Sequence, residues 1–242
     1  MRAVILAGGK GQRLRPYTTV LPKPLMPIGD MPILEVVLRQ LKEAGVTRVT
    51  MAVGYLGELL QAFFGDGKRL GLSIDYSFEA RPLGTVGPLT LIPSLREERE
   101  FLMMNGDVLT TLDYSQLIRR HRESAASVTI ATYRREVKID FGVIESDPTT
   151  NFLTGYVEKP AFDYRVSMGV YCFDAKVLDR LQPDTYCDFP DLIKSLLAAG
   201  EPVASYPFDG YWLDIGRPDD YARAIDEFET RRAEFLPNEA TR

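Results

Sequence analysis

The sequence predicts an α/β fold: a doubly wound, mostly parallel sheet with helices on both faces. Three observations carry this. Apolar runs of strand length alternate with segments of helical period through the first half of the 242 residues. The first run, Ala3-Val4-Ile5-Leu6-Ala7, is apolar throughout, as a central strand covered on both faces must be. A glycine-rich turn, Gly8-Gly9-Lys10-Gly11, follows it directly.

The remaining elements follow in order. A helix is expected from Pro32 to Ala44: Ile33, Val37 and Leu41 repeat at helical spacing, Pro32 suits a first turn and Gly45 suits an end. Strands are expected at Arg48–Val53, Ser73–Phe78 and Phe101–Asn105, with helices at Gly57–Phe64 and Thr85–Leu95. A helix over Asp113–Ser124 leads into the β-branched strand Ser127–Tyr133. Beyond residue 135 the texture changes. Gly142–Glu145 and Phe152–Val157 flank a polar turn and read as a hairpin. A strand at Ser167–Phe173, short helices at Ala175–Leu181 and Phe189–Ala199, strands at Val203–Tyr206 and Gly210–Leu213, and a helix from Pro218 to Arg232 complete the set. The reading is one domain over 1–235, with halves 1–135 and 136–235, and a polar, fraying tail over 236–242.

Composition narrows the chemistry. Hydrophobic residues at 45% and charged residues at 26% are those of a globular protein with a buried core. Lys and Arg number 29 and Asp and Glu 34, a net charge of −5, yet five bases and no acid precede Asp30. A basic leading segment on an acidic body excludes the broad basic surface that nucleic acid requires and suits a compact pocket for one small polyanion. No apolar run approaches the roughly 18 residues of a membrane span. Ala3–Ala7 is too short for a signal peptide, so a cytoplasmic protein is expected. Cys172 and Cys187 match neither a disulfide framework nor a zinc site and read as packed or inert thiols. The one histidine, His121, lies in Leu117-Ile118-Arg119-Arg120-His121-Arg122 and reads as a solvated helix residue. A zincin and a Ser-His-Asp hydrolase are therefore excluded.

Gly8-Gly9-Lys10-Gly11-Gln12-Arg13 can bring successive backbone amides onto an anion, and Arg13 can fork two oxygens of one phosphate. The segment is neither a Walker loop nor a dinucleotide fingerprint, since the sixth position from Gly9 is Leu14. Downstream, Pro22-Lys23-Pro24 stiffens the backbone around one lysine, which implies a placed charge.

Gly8-Gly9-Lys10-Gly11-Gln12-Arg13-Leu14 with Pro22-Lys23-Pro24 resembles the signature of the sugar-1-phosphate nucleotidyltransferases. The likeness continues through Leu83-Gly84-Thr85, Asn105-Gly106-Asp107, Phe141-Gly142-Val143, Val157-Glu158-Lys159-Pro160, Ser167–Tyr171 and Trp212-Leu213-Asp214-Ile215-Gly216. It is to the short, single-domain members, because hexapeptide repeats are absent. Gln12 departs from it, standing where the family usually has Thr or Ser.

The resemblance implies a Rossmann-like fold with a sugar-binding second half. It implies attack by a sugar 1-phosphate oxygen on the α-phosphorus of a nucleoside triphosphate, with Mg²⁺ as cofactor and pyrophosphate as leaving group. An anionic phosphate nucleophile needs no strong base, which fits a histidine-poor chain. Arg13 and Lys23 would be catalytic and would hold the triphosphate. Leu6, Ala7, Gly8, Gly9, Gly11, Glu79, Gly84 and Thr85 would complete the nucleotide site. Asn105, Gly142, Glu158, Lys159, Ser167 and Gly169 would bind the sugar phosphate, and Asp107 and Asp214 the metal.

A single Asp at a strand end more often serves a turn; the matching motifs at both positions favour the metal. Glu79 can accept from guanine's amino and ring N–H groups, which favours GTP and guanylyltransferases of mannose or heptose 1-phosphates. Those usually carry Ala where Val86 stands, and Glu79 can equally support the fold or bind ribose. The alternatives are uridylyl, thymidylyl or cytidylyl transfer, or a non-catalytic subunit binding nucleotide sugar. An oxidoreductase is disfavoured by the failed dinucleotide fingerprint. The expected partners are the two substrates, with neither nucleic acid nor membrane; a homo-oligomer is compatible with the sequence.

Overall fold

A computed structural model describes residues 1–238. In chain order the strands and helices are β1 (Arg2–Ala7), β2 (Pro27–Ile28), β3 (Met31–Pro32), α1 (Ile33–Glu43), β4 (Arg48–Val53), α2 (Gly57–Phe64), β5 (Ser73–Phe78), β6 (Glu100–Asn105), β7 (Val108–Thr110), α3 (Tyr114–Ser124), β8 (Val128–Lys138), β9 (Val143–Ser146), β10 (Leu153–Val157), β11 (Ala161–Asp174), α4 (Phe189–Ala198), β12 (Val203–Phe208), β13 (Trp212–Asp214) and α5 (Pro218–Phe235).

Seven strands form the main sheet in the order β12-β8-β11-β6-β1-β4-β5. β1 pairs in parallel with β4 and β6, β4 with β5, and β12 with β8. Only β11 runs against its neighbours, antiparallel to both β6 and β8. The doubly wound, mostly parallel sheet predicted from the sequence is therefore observed.

Strand alternation divides the core. Ala3, Ile5 and Ala7 of β1 face α1, α2 and α3, whose Leu34, Val37, Leu41, Leu60, Phe64 and Leu117 pack on that side. Val4 faces the opposite layer, built from residues 86–95, 175–181 and α4. A third cluster joins α5 to Leu14, Met26, Ile28 and Leu213 and thereby braces the segment after the glycine turn. At α3, Asp113 accepts the Ser115 and Gln116 backbone N–H groups at 2.9 and 3.3 Å, an N-cap that contributes about 1 kcal/mol.

Several expectations need correction. Thr85–Leu95 is not an α-helix but two 3-10 turns, Gly87–Leu91 and Pro93–Glu97. Pro88 and Pro93 each remove an amide that a continuous helix would use. β8 and β11 run past their expected ends and pair from Lys138 with Ala161 to Val128 with Phe173, with a register shift between Ser167 and Tyr171. The helix expected to end at Arg232 continues to Phe235. Leu236, assigned to the polar tail, is buried beside Phe235 in the third cluster; residues 239–242 of that tail lie outside the described residues.

His121 is not solvated. It lies three and four residues beyond Ile118 and Leu117, on the inner face of α3, and is 4% exposed. Its Nδ1 lies 2.9 Å from Thr129 Oγ1, and burial holds its pKa below the ordinary histidine value. Cys172 is fully buried, and burial raises its pKa far above that of a free thiol; Cys187 is half-buried. Among the described residues, no helix is long and apolar enough to cross a membrane.

Candidate active site

In an open α/β sheet the ligand crevice lies beyond the carboxyl ends of the strands, where connections leave in opposite directions. Here that point is the end of β1, from which the chain passes to β4 on one side and later to β6 on the other. A cavity of about 930 Å³ opens there. Its lining includes residues 6–14 continuously, Lys23, Glu79, Gly84, Thr85, Asn105 and Asp107. Every residue assigned from sequence to the nucleotide is thus at one place, together with Asn105 and Asp107.

One group of lining residues is charged. Lys23 lies in a 3-10 turn between Pro22 and Pro24 and is 9% exposed. Its ammonium forms an ion pair with Asp107. The other oxygen of Asp107, Oδ1, is buried without a hydrogen-bond partner. β13 pairs with β7, setting Asp214 opposite Val108, and Ile215 N–H donates to the Asp107 carbonyl at 3.3 Å. The small sheet therefore places two carboxylates side by side. Asp214 is exposed, yet the surrounding protein displaces enough water to raise its pKa; the negative charge of Asp107 adds to this, against Lys23 and Arg13. Arg13 passes close to Gly216, whose hypothetical Cβ would meet both terminal guanidinium nitrogens at 3.4 Å.

The second group surrounds Glu79. Its Oε2 accepts the Leu83 backbone N–H at 3.1 Å. Its Oε1 lies so near Gly8 that a Cβ there would be 2.6 Å away. Any larger residue at position 8 would force the Glu79 carboxylate to shift. Thr85 lines the cavity, but its polar groups are engaged: its N–H reaches Asp188 Oδ1 at 3.0 Å, and its Oγ1 accepts Phe189 N–H at 2.6 Å.

The residues assigned to the sugar phosphate are not all brought to this cavity. Gly169 packs on the Asn105 side-chain amide, with a hypothetical Cβ 2.6 Å from Nδ2. Ser167 Oγ donates to the Tyr171 hydroxyl at 3.0 Å. Gly142, Tyr156 and Glu158 form a separate cluster at the β9–β10 hairpin, where the Tyr156 hydroxyl donates to Glu158 Oε2 at 2.7 Å. Lys159 is exposed, 4.0 Å from Glu158. Tyr55, Tyr186 and Gly216 also line the cavity and were not assigned from sequence. Gly216 belongs to a motif already noted, whereas Tyr186 and its partner Asp188 carry no local signal.

A carboxylate oxygen that is buried and unpartnered, beside a second carboxylate, is a donor set suited to Mg²⁺. That ion takes one or two carboxylates and completes its shell with phosphate oxygens and water. Among the described residues no cluster of three or more His, Cys, Asp or Glu offers an all-protein site. The residues present fit Mg²⁺.

The family model for nucleotidyl transferases matches residues 2–231. The chain belongs to the nucleotidyl transferase family. Within this family, a UTP–glucose-1-phosphate uridylyltransferase of Synechocystis is 35% identical over 243 residues, covering 93% of this chain and 62% of that protein. A mannose-1-phosphate guanylyltransferase of Mycobacterium tuberculosis is 34% identical over 226 residues, covering 91% and 62%. The chain thus spans about 62% of the length of these curated relatives. Among solved structures, HddC from Yersinia pseudotuberculosis superposes with a TM-score of 0.72 at 25% identity, covering 94% of this chain and 99% of that one. A Bacillus anthracis protein provisionally named a glucose-1-phosphate thymidylyltransferase gives 0.75 at 24%, covering 94% of both, and shares the fold.

Proposed function

We propose that this nucleotidyl transferase family member moves a nucleotidyl group from GTP to a sugar 1-phosphate, giving a GDP-sugar and pyrophosphate. The observation that carries the reading is the convergence of Arg13, Lys23, Asp107 and the glycine turn on one cavity beside Asp214. Relatives named mannose-1-phosphate guanylyltransferases support the acceptor class and the guanine base.

In the proposed mechanism an oxygen of the sugar 1-phosphate forms a bond to the α-phosphorus while the bond to the β-phosphate oxygen breaks. Pyrophosphate leaves with the electron pair. The nucleophile is already anionic, so no side chain has to remove a proton, and His121, buried in the core, is not required. The barrier is one of bringing anions together and stabilising charge at phosphorus.

Arg13 and Lys23 answer that need with fixed cations, Arg13 by its planar fork and Lys23 as a point charge on a proline-stiffened turn. Asp107 and Asp214 would hold Mg²⁺, which supplies a Lewis-acid charge to phosphate oxygens when bound. Glu79, with Oε2 occupied by Leu83, turns Oε1 toward Gly8 and can accept guanine N–H groups there. At the hairpin, Lys159 would take the acceptor phosphate and Glu158 the sugar hydroxyls.

Uridylyl transfer is the second reading, favoured by the Synechocystis relative. Pyrophosphate release with each nucleoside triphosphate, crossed with a panel of sugar 1-phosphates, separates them. Turnover with GTP and mannose 1-phosphate is expected. Turnover with UTP or dTTP and none with GTP overturns the base assignment.

A further inference from the structure

The segment from Pro183 to Asp188 is strapped onto the turn at residues 81–87. Arg81 Nη2 donates to the Asp184 carbonyl at 2.8 Å and to Asp184 Oδ2 at 2.9 Å. Cys187 N–H donates to the Leu83 carbonyl at 2.9 Å, and the Val86 and Gly87 N–H groups both reach the Cys187 carbonyl at 3.1 Å. Gly84, at φ +81°, lies so close to the strap that a Cβ would stand 2.6 Å from the Cys187 oxygen. These bonds join positions about a hundred residues apart into one wall of the cavity.

Asp188 is the hub of that wall. Its Oδ1 accepts from the Thr85 backbone N–H at 3.0 Å and from the Thr85 hydroxyl at 3.3 Å, while Oδ2 accepts from the Tyr186 hydroxyl. One carboxylate therefore fixes both the turn and the ring. Tyr186 lines the cavity and is 60% exposed. A core tyrosine would be buried; this one stands largely exposed in the cavity wall while its hydroxyl is held by Asp188. The residues beside it, Gly84 and Thr85, share the cavity with Glu79.

We propose that Tyr186 is a platform on which the nucleotide's heterocycle stacks, and that Asp188 is its positioning residue. This deepens the nucleotidyl-transfer reading and rests on it. Stacking divides the labour in the site, because every base has a π face and a platform binds all of them without telling them apart. Tyr186 then supplies affinity common to purines and pyrimidines, and base identity is left to polar groups such as Glu79. Triphosphate recognition by Arg13 and Lys23 is separate from both.

The test is calorimetric binding of GTP, UTP and inorganic tripolyphosphate, with Mg²⁺ and without sugar phosphate, to wild type, Tyr186→Ala, Tyr186→Phe and Asp188→Ala. Tyr186→Ala should weaken GTP and UTP alike by about tenfold, the contribution of one base–aromatic stack, and leave tripolyphosphate unchanged. Asp188→Ala should act in the same direction with the same indifference to tripolyphosphate. Tyr186→Phe cuts the same bond from the other side while keeping the ring and the carboxylate; its loss should fall between wild type and Tyr186→Ala, and it serves if Asp188→Ala does not fold. Wild-type affinity for GTP in Tyr186→Ala overturns the proposal, as does an equal loss for tripolyphosphate. A wild-type protein that binds tripolyphosphate and no nucleoside triphosphate overturns this proposal and the nucleotidyl-transfer reading together.

Discussion

Gly8→Ala is a one-atom test of how the base side of the site is built. Gly8 is not among the positive-φ glycines, so alanine fits the backbone and the perturbation is purely one of contact. The added Cβ would stand 2.6 Å from Glu79 Oε1, and the carboxylate must retreat by about 0.8 Å to reach ordinary contact. Its other oxygen holds the Leu83 N–H at 3.1 Å, so the retreat strains or breaks a charged hydrogen bond. Overpacking and loss of that bond together cost about 1–3 kcal/mol. For a domain of this size each kcal/mol lowers Tm by about 2–4 °C. The assay is a double-mutant cycle with Glu79→Ala, read by chemical denaturation. Without the Glu79 side chain the nearest neighbour of the new methyl is Gly54 N, at 3.4 Å, an ordinary contact, and the substitution should cost less than about 0.5 kcal/mol. Coupling of about 1–2 kcal/mol is expected. Additive effects of the two substitutions would refute the contact between Gly8 and Glu79.

Two further outcomes follow from buried ionisable groups. Lys23→Met frees Asp107 from its ion pair and leaves two carboxylates without their nearest cation. Mn²⁺ binding to nucleotide-free protein, followed by EPR, should tighten by about tenfold or more, since a unit charge at about 4 Å contributes about 4 kcal/mol at a surface-like dielectric; unchanged or weaker binding contradicts the pairing. His121 is buried with its pKa lowered mainly by desolvation, helped by Arg122 and Arg99 and opposed by Glu100 and Asp174. The unfolded chain therefore binds a proton more readily than the folded one. The stability that neutral His121 contributes is present above the unfolded pKa and is lost as pH falls through it toward the folded pKa. Between about pH 7 and about pH 5, wild type should lose more stability than His121→Gln; equal losses contradict the burial argument.

The sheet was legible because β1 is an apolar run after Arg2 and β5 alternates polar and apolar residues, and β1, β4 and β5 lie where their sequences placed them. The 87–97 segment was misread because its apolar spacing outweighed Pro88 and Pro93, which forbid the α-helical hydrogen-bond ladder. His121 was misread because arginines surround it in sequence, while its offset from Leu117 and Ile118 puts it on the buried face. The cavity was legible because a long stretch of its lining is contiguous: residues 6–14 run unbroken from the end of β1 through the glycine turn. Asp188 and Tyr186 were not, because their place in the cavity wall depends on the bond from Thr85 to Asp188, which spans 103 positions. The hairpin carrying Gly142, Glu158 and Lys159 was legible as an element, but its placement depends on how far β8 and β11 extend from the sheet, and local pattern does not encode that.

The central claim is that this chain cleaves a nucleoside triphosphate between its α- and β-phosphates and keeps the α-phosphate with the sugar. GTP labelled with ³²P at either the α- or the γ-phosphate, incubated with Mg²⁺ and mannose 1-phosphate, measures this directly. The account predicts α-label in a nucleotide sugar and γ-label in pyrophosphate. Gamma label released as orthophosphate, or α-label that stays in GDP or GMP, would contradict it.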